Sequence, residues 1–348
     1  MKTLDYRITF NAPGFLGNAE QNAQWRTPPF KALLRQWWRV VYASAHADKM
    51  SVDNMRQEEG RLFGVASDQR GGSRKSQLRI RLDRWDQGIQ RDWPALAKVR
   101  HPEVKFPVDS SLYLGFGPVL LPKGGKKPAL KANAAIQFGE SATFSLACPD
   151  GAVSDLQTAI ALMDRYGTIG GRSRNGWGSL SITKTQPHDP TAGEVPMAAF
   201  ARPWRDALNL DWPHAIGADE RGPLIWRSKQ PFDDWKILMQ MFAELKIGLR
   251  TQFRFNSGNQ TPKPEPRHWL SYPVTRHSVN FWKNARLPNS LRFKVRAESD
   301  GRLRGIIVHL PCLPPADPFR PDRRAIEVVW AQVHAFLDQA DALIRTPA

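Results

Sequence analysis

The chain of 348 residues contains two cysteines, Cys148 and Cys312, and no long hydrophobic run. Two distant cysteines without a CxxC pair exclude a disulfide-rich scaffold and a zinc ribbon, and they favour a reducing, cytoplasmic compartment. The longest uncharged stretches, such as 110–122, fall short of the ~20 apolar residues that a membrane-spanning helix needs. The N-terminal sequence MKTLDYRITF has no apolar signal core. We therefore expect neither secretion nor membrane insertion.

Acidic residues are also scarce, because 33 Asp and Glu stand against 50 Lys and Arg, a net charge of +17. An excess of this sign raises the local concentration of phosphate-bearing partners. Most of the excess is arginine, whose planar guanidinium binds phosphate bidentately and stacks on bases. The composition predicts a globular protein that binds nucleic acid.

Several motifs of catalysis and cofactor binding are missing. The glycine-rich loop of the chain has neither GxGxxG nor GxxxxGK[ST] spacing, which disfavours nucleotide-cofactor folds, and it has no GxSxG elbow. The eight histidines form no HExxH or HxH pair, so we expect no metal and no cofactor. His46, near Asp48 and Asp53, is a candidate general acid or base, although a lone histidine at a helix end more often has no chemical role.

Hydrophobic periodicity predicts an α+β protein with two domains, at 1–186 and 206–348, joined by a linker at 187–205. Leu4–Phe10 alternates apolar and polar residues as a half-buried strand does, and a helix runs from the N-cap Thr27 to about Ala47. Further helices are predicted at Asp53–Phe63, Leu156–Tyr166, Phe232–Leu249 and Arg323–Ile344, and further strands at Ser76–Leu82, Leu112–Leu121, Ala134–Leu146, Leu180–Ile182, Leu224–Trp226, Leu291–Val295 and Leu303–Leu310.

The strongest local feature is the glycine-rich loop GTIGGRSRNGWGSL at Gly167–Leu180. Glycines let the backbone approach a ligand closely and adopt positive φ, where successive N–H groups can form an anion nest. Arginines inside the loop favour a phosphate or RNA backbone over the alternative, a plain surface turn. The residues predicted to contact RNA here are Gly170, Gly171, Arg172, Arg174 and Asn175.

Basic residues recur on one predicted helix and in two glycine-containing loops. Lys31, Arg35 and Arg39 are four residues apart on the helix that begins near Thr27, and the loops RGGSRK and KGGKK resemble hairpin tips that could follow a phosphate backbone. The alternative is that these charges only keep the surface solvated. The additional predicted RNA contacts are Lys31, Arg35, Arg39, Arg70, Arg74, Lys75 and Lys126.

The order of these motifs resembles a known family. The first strand is followed by RTPPFKALLRQWWRVVY, EEGRLFGVAS and SQLRIRL, and the glycine-rich loop closes the first domain. This arrangement is similar to the RAMP superfamily of CRISPR effector proteins, and within it to the first Cmr-type subunit of type III-B complexes. The residues that carry the resemblance are Lys31–Arg39, Glu59–Gly64 and Gly170–Gly178, with a weaker match at Arg267–Val274.

The resemblance implies two tandem ferredoxin-like (RRM-related) domains and a place in a multisubunit RNA-guided effector complex. Its partners would be CRISPR RNA, target RNA as a second candidate, and other subunits. In that fold the sheet and adjoining loops bind single-stranded RNA.

Related subunits cut target RNA with an aspartate after the first strand, but Asn11–Trp25 contains none, and Asn18 and Glu20 are the nearest candidates. The resemblance therefore implies a non-catalytic RNA-binding subunit. The alternative is a RAMP endoribonuclease that processes precursor CRISPR RNA with His46 as acid or base.

Overall fold

The computed structural model describes residues 1–47, 50–66, 72–185 and 196–346. We call the part up to residue 185 the first half and the part from residue 196 the second half. The elements of the first half are β1 Lys2–Phe10, α1 Thr27–Ala45, α2 Val52–Phe63, β2 Arg79–Leu82, β3 Lys98–Val99, β4 Val108–Asp109, α3 Ser110–Gly115, β5 Val119–Leu120, β6 Ala129–Leu130, β7 Ser141–Cys148, α4 Val153–Tyr166 and β8 Leu180–Lys184.

The first half is built on a four-stranded sheet in the order β2-β7-β1-β8, in which every neighbouring pair is antiparallel. Along the chain its main elements follow as β1, α1, β2, β7, α4 and β8. The short elements from β3 to β6, together with α3, are inserted between β2 and β7.

Local sequence accounts for the two elements that open the chain. In β1 the residues Leu4, Tyr6, Ile8 and Phe10 are buried and alternate with exposed or half-buried ones, as the two-residue period of a strand requires. α1 buries an apolar face against this sheet and α4, and prolines stand in its first turn, where their missing N–H groups cost nothing.

The second half contains a second four-stranded sheet. Its elements are β9 Ala201–Pro203, α5 Trp204–Ala207, β10 Ile216–Asp219, β11 Gly222–Pro223, β12 Ile225–Ser228, α6 Trp235–Thr251, β13 Gln260–Thr261, β14 Ser278–Val279, β15 Leu291–Ala297, β16 Leu303–His309, α7 Ala316–Phe319, α8 Arg323–Gln339 and β17 Leu343–Arg345. The sheet has the order β15-β16-β12-β17 with antiparallel neighbours, and its elements follow along the chain as β12, α6, β15, β16, α8 and β17.

The two halves therefore repeat one connectivity. In each, the first strand is followed by a helix, two strands, a second helix and a fourth strand, and the sequentially second strand lies at one edge of the sheet. In this comparison α1 and α6 hold the same place, as do α4 and α8.

The halves pack directly on each other, since β15 contacts both α4 and β8. The buried Lys294 ammonium on β15 donates to the backbone carbonyls of Met163, Gly167 and Leu180 at 3.3, 2.9 and 2.7 Å. Two of these carbonyls belong to the last turn and C-cap of α4. Burial lowers the pKa of Lys294 to about 7. Lys294 thus joins the second sheet to the first half.

The α+β class is confirmed, but four details of the predicted elements are wrong. The predicted strand Ala134–Leu146 begins only at Ser141, in β7. Of Leu112–Leu121 only Val119–Leu120 is a strand, β5, because Asp109 caps helix α3 at the start of this segment by accepting hydrogen bonds from the N–H groups of Ser111 and Leu112. Thr27 is the first residue of α1, and Arg26 occupies the N-cap. The terminal helix ends at Gln339, and β17 follows it and pairs with β12.

The division into domains stays a prediction. Residues 186–195 of the predicted boundary lie outside the described residues, whereas 201–203 form β9, which pairs in parallel with β10. Among the described residues, no helix has both the length and the apolar character needed to cross a membrane.

Candidate nucleic-acid interface

A cleft of about 2290 Å³ opens between segments of both halves. Its walls come from residues 101–121, the glycine-rich loop, the end of α6, the segment 267–277 and the segment 286–289. Among the described residues that line it, Glu103 is the one carboxylate. The cations that line it are Lys105, Arg172, Arg174, Lys246, Arg250, Arg254, Arg267, Arg276 and Arg286.

The end of α6 supplies the innermost of these charges. Lys246 and Arg250 are four residues apart and therefore lie on one face of the helix, and Arg254 follows beyond its end. The Lys246 ammonium donates to the side-chain oxygen of Asn175, and Arg250 donates to Ser271 Oγ at 2.7 Å. The pKa of Lys246 lies well below its usual range, mainly because the ammonium is buried and also because Arg250 and Arg172 repel its charge. These cations repel one another in a partly desolvated wall.

The one carboxylate of the cleft is already engaged. Glu103 pairs with Arg267 at 2.6 Å, and its backbone N–H donates to His101 Nδ1 at 3.2 Å. Among the described residues, the other eight cations of the wall form no ion pair.

The glycine-rich loop forms one wall, but its glycines serve packing. Gly170 has φ of +89°, and a Cβ there would lie 2.6 Å from the Phe15 carbonyl oxygen. The Gly171 N–H donates to that same oxygen at 2.8 Å, and the Gly178 N–H donates to the Pro13 carbonyl at 2.8 Å. The predicted anion nest is therefore wrong for the Gly171 amide, which holds the loop against the segment after β1.

The polar side chains of the loop line the cleft, and their contact with RNA stays a prediction. Arg172 has φ of +55°, and its pKa is lowered by burial and then by Arg286. Arg174 donates to the Asn289 carbonyl at 2.8 Å and so ties the loop to the second half. Asn175 donates to the Leu114 carbonyl at 2.6 Å and accepts from Lys246. Arg174 and Asn175 are thus partly used in holding the wall together.

The predicted stripe on α1 lies in a different place, a groove of about 610 Å³ lined by Lys31, Arg35, Arg39 and Arg74. Behind it the buried Glu59 accepts two hydrogen bonds from Arg39, at 2.7 and 2.9 Å, and another from Arg35. The Arg39 guanidinium also lies 4.2 Å from the centre of the Trp212 ring. Burial, and to a smaller extent repulsion by the charge of Arg35, lowers the pKa of Arg39 to about 10. Among the described residues, none lines both groove and cleft.

The other predicted contacts lie apart from both sites. Lys75 is exposed outside groove and cleft, and Lys126 is exposed in the hairpin between β5 and β6, as its sequence suggested. Arg70 lies outside the described residues.

The open face of the first sheet is polar rather than aromatic. All residues of its four strands are described, and the aromatic ones, Tyr6, Phe10 and Phe144, are buried on the other face. The open face exposes Arg79 and Arg81 instead. The open face of this sheet therefore offers no aromatic platform on which bases could stack.

The candidates for catalysis lie away from the cleft. His46 caps the end of α1 with its ring stacked 4.1 Å from that of Tyr42 and its Nδ1 2.9 Å from the Tyr42 carbonyl. The Glu20 carboxylate accepts from the Asn22 amide at 3.3 Å. The described residues contain no group of three or more His, Cys, Asp or Glu side chains that could hold a metal.

The sequence analysis did not single out the cations that the second half gives to the cleft. A signal was present, because Lys246, Arg250 and Arg254 have the same four-residue spacing as Lys31, Arg35 and Arg39. What the sequence did not reveal is that the segments near residues 101 and 286 come to the same wall.

Comparison with known proteins identifies the first half. The model of the RAMP superfamily matches residues 29–181, from the first turn of α1 into β8. This segment belongs to the RAMP superfamily. The RAMP segment includes the α1 groove, the inserted elements and the glycine-rich loop. A search of curated proteins finds no relative of the chain.

A search of solved structures matches the chain to several CRISPR proteins. The chain is 15% identical to Cmr1 from Pyrococcus furiosus, with a TM-score of 0.47 over 89% of this chain and 88% of that one. It is 11% identical to a chain of a type III-B Cmr-beta complex bound to cognate target RNA and AMPPnP, with a TM-score of 0.49 over 96% and 98%. A chain of a type IV-B CRISPR complex is 13% identical, with a TM-score of 0.30 over 54% and 92%.

Proposed function

We propose that this protein is a non-catalytic RNA-binding subunit of a type III, Cmr-type, RNA-guided effector complex in the cytoplasm. Its ligand is CRISPR RNA, with target RNA as a second candidate. The RAMP segment supports the effector class, and the order of the α1 motif and the glycine-rich loop supports the Cmr type.

The repeated connectivity supports the proposal that the chain consists of two tandem ferredoxin-like domains. Both sheets place the four strands of a β-α-β-β-α-β unit in the same order. In this arrangement the RNA site is the cleft between the halves rather than either open sheet face.

The observation that carries the proposal is the charge of the cleft. Nine Lys and Arg side chains line it beside one carboxylate, and that carboxylate is paired. Buried like charges raise the free energy of the free protein, and a bound polyanion offsets that repulsion. The volume of about 2290 Å³ accommodates several nucleotides rather than one small ligand.

The test is the salt dependence of single-stranded RNA binding. Replacing the exposed Arg254 and Arg286 with alanine removes two cleft charges, so the slope of log K against log salt should become shallower by about 1.4, since each phosphate contact contributes ~0.7. The matched control replaces the exposed Arg79 and Arg81 of the open sheet face, which changes net charge equally. Equal weakening by both pairs would show that only overall charge matters and would contradict a cleft site.

The competing proposal is an endoribonuclease that processes precursor CRISPR RNA. Its candidate residue, His46, does not line the cleft. Incubation of the protein with repeat-containing RNA decides between the two proposals. Discrete cleavage that disappears in His46→Ala would establish the endoribonuclease, and binding without cleavage, with or without Mg²⁺, is the expected result.

A further inference from the structure

One aromatic ring stands exposed inside the basic cleft. Phe116, which follows α3, is 66% exposed and lines the cleft, together with Leu121 at 50% and Val104 at 48% exposed. Large apolar side chains exposed within one cleft are typical of a binding surface. Here the apolar surface lies within a wall of cations.

The chain holds this ring in place through a turn. Gly117 has φ of +114°, and its N–H donates to the Val119 carbonyl at 3.2 Å, so the backbone reverses directly after Phe116. A Cβ at Gly117 would lie 3.5 Å from a guanidinium nitrogen of Arg172, which places that cation against the turn. Phe116 and the Arg172 guanidinium therefore adjoin the same turn.

A flat apolar surface beside a cation matches the two parts of a nucleotide. The face of a base stacks on an aromatic ring, and the phosphate that follows it is a ligand of arginine. An apolar peptide would cover Phe116 but leave the surrounding cations without partners. A base inside a duplex is already stacked on both sides and cannot offer its face.

We propose that Phe116 is a stacking site for one unpaired base of the bound strand, with Arg172 on the adjoining phosphate. This inference rests on the proposed function, because it requires that the cleft bind RNA. It assigns to the inserted segment between β2 and β7 the role of contacting a base, while the cations of the glycine-rich loop and of the second half contact phosphates.

The experiment compares two probes of equal length and charge, an oligouridylate and an oligomer of abasic ribose phosphates. Phe116→Ala should weaken oligouridylate binding by roughly 5- to 150-fold, the range expected for one stacked base. It should leave binding of the abasic oligomer and the salt slope unchanged. Phe116→Trp should bind oligouridylate as well as the original protein. The matched control is Phe138→Ala, which removes a ring that is 43% exposed and does not line the cleft.

Three outcomes would overturn the stacking site. Oligouridylate binding equal to that of the original protein would exclude Phe116 as a contact. Equal weakening for both probes would show that the ring maintains the wall and does not stack. Unchanged RNA binding with loss of a protein subunit from the purified complex would assign the ring to a protein partner.

Failure of the proposed function gives a different result. In that case the original protein binds neither probe with a salt-dependent affinity, and the Arg254→Ala/Arg286→Ala pair has no effect. If only the stacking proposal is wrong, RNA binding still depends on salt and the Arg254→Ala/Arg286→Ala pair still weakens it.

Discussion

The two basic surfaces of this protein arise from helices that hold the same place in the two halves. α1 carries Lys31, Arg35 and Arg39, and α6 carries Lys246 and Arg250, with Arg254 just beyond its end. The spacing is the same, yet the groove on α1 has a buried carboxylate behind it, and the cleft beside α6 has one partly exposed carboxylate for nine cations.

The difference shows that a stripe of cations does not define a binding site without its counter-charges. In the groove, Arg39 bonds Glu59 and stacks on Trp212, so its charge already serves the fold. In the cleft, Lys246 and Arg250 donate to neutral oxygens of Asn175 and Ser271, and neither forms an ion pair among the described residues. The first stripe holds two helices together, and the second is available to a polyanion.

The largest expected effect comes from removing the carboxylate of the groove. Glu59 is 1% exposed, so Glu59→Gln leaves Arg35 and Arg39 facing each other without an anion and should lower the free energy of unfolding by about 3 kcal/mol. Glu103→Gln in the cleft should change it by less than about 1 kcal/mol, because that carboxylate is 44% exposed. Urea unfolding of both variants measures this, and equal losses would contradict the distinction drawn between the two surfaces.

A second prediction concerns the interior of the second half, where two neutral histidines meet. His334 Nε2 lies 2.9 Å from His309 Nδ1, and Ser290 Oγ lies 2.9 Å from the other nitrogen of His309. Burial lowers the pKa of His334 to about 3, with Asp219 opposing the shift and Arg345 and Arg205 adding to it. Burial, and then His334, lowers the pKa of His309 well below its usual range.

Because both pKa values are lower in the folded state, the unfolded chain binds more protons below pH 6.5. Stability should therefore fall as the pH drops from 6.5 towards 3, by about 2 kcal/mol at pH 5 for His334 alone. Thermal unfolding across this range measures the slope, and His334→Asn should make it shallower. An unchanged slope in the variant would mean that other groups cause the acid sensitivity.

The regular elements could be predicted from sequence because their signals are local. Burial in β1 and α1 follows the periods of 2 and 3.6 that Leu4–Phe10 and the residues after Thr27 display. β17 could not be predicted in this way, since three residues become a strand only by pairing with β12. α3 was missed although Asp109 is a good N-cap, because the six residues that follow carry no helical period long enough to recognise.

The site was predictable in part for the same reason. Arg172, Arg174 and Asn175 were found because glycines and arginines are adjacent in the sequence, and the structure brings them to the cleft. Lys105 and Arg286 reach it only through the packing of distant segments. The role of Glu59 was not predicted either, since a carboxylate in α2 gives no sign of which arginines of α1 it will neutralise.

The smallest expected effect concerns Gly171, which the sequence predicted to contact RNA. If the Gly171 amide contacted phosphate, any side chain there would obstruct the RNA, but that amide donates to Phe15. Gly171 has no positive φ, and a Cβ there would meet its nearest atoms at 3.4–3.6 Å, which is ordinary contact. Gly171→Ala should therefore change stability by less than about 0.5 kcal/mol and leave RNA affinity unchanged.

Gly170→Ala is the contrasting variant, because positive φ and the Phe15 carbonyl at 2.6 Å both oppose a side chain, and it should destabilise the fold by at least about 1 kcal/mol. Urea unfolding and RNA binding of both variants provide the measurement. A folded Gly171→Ala protein with lost RNA affinity would return the backbone of the glycine-rich loop to the binding site and weaken the assignment of the cleft to side-chain charge.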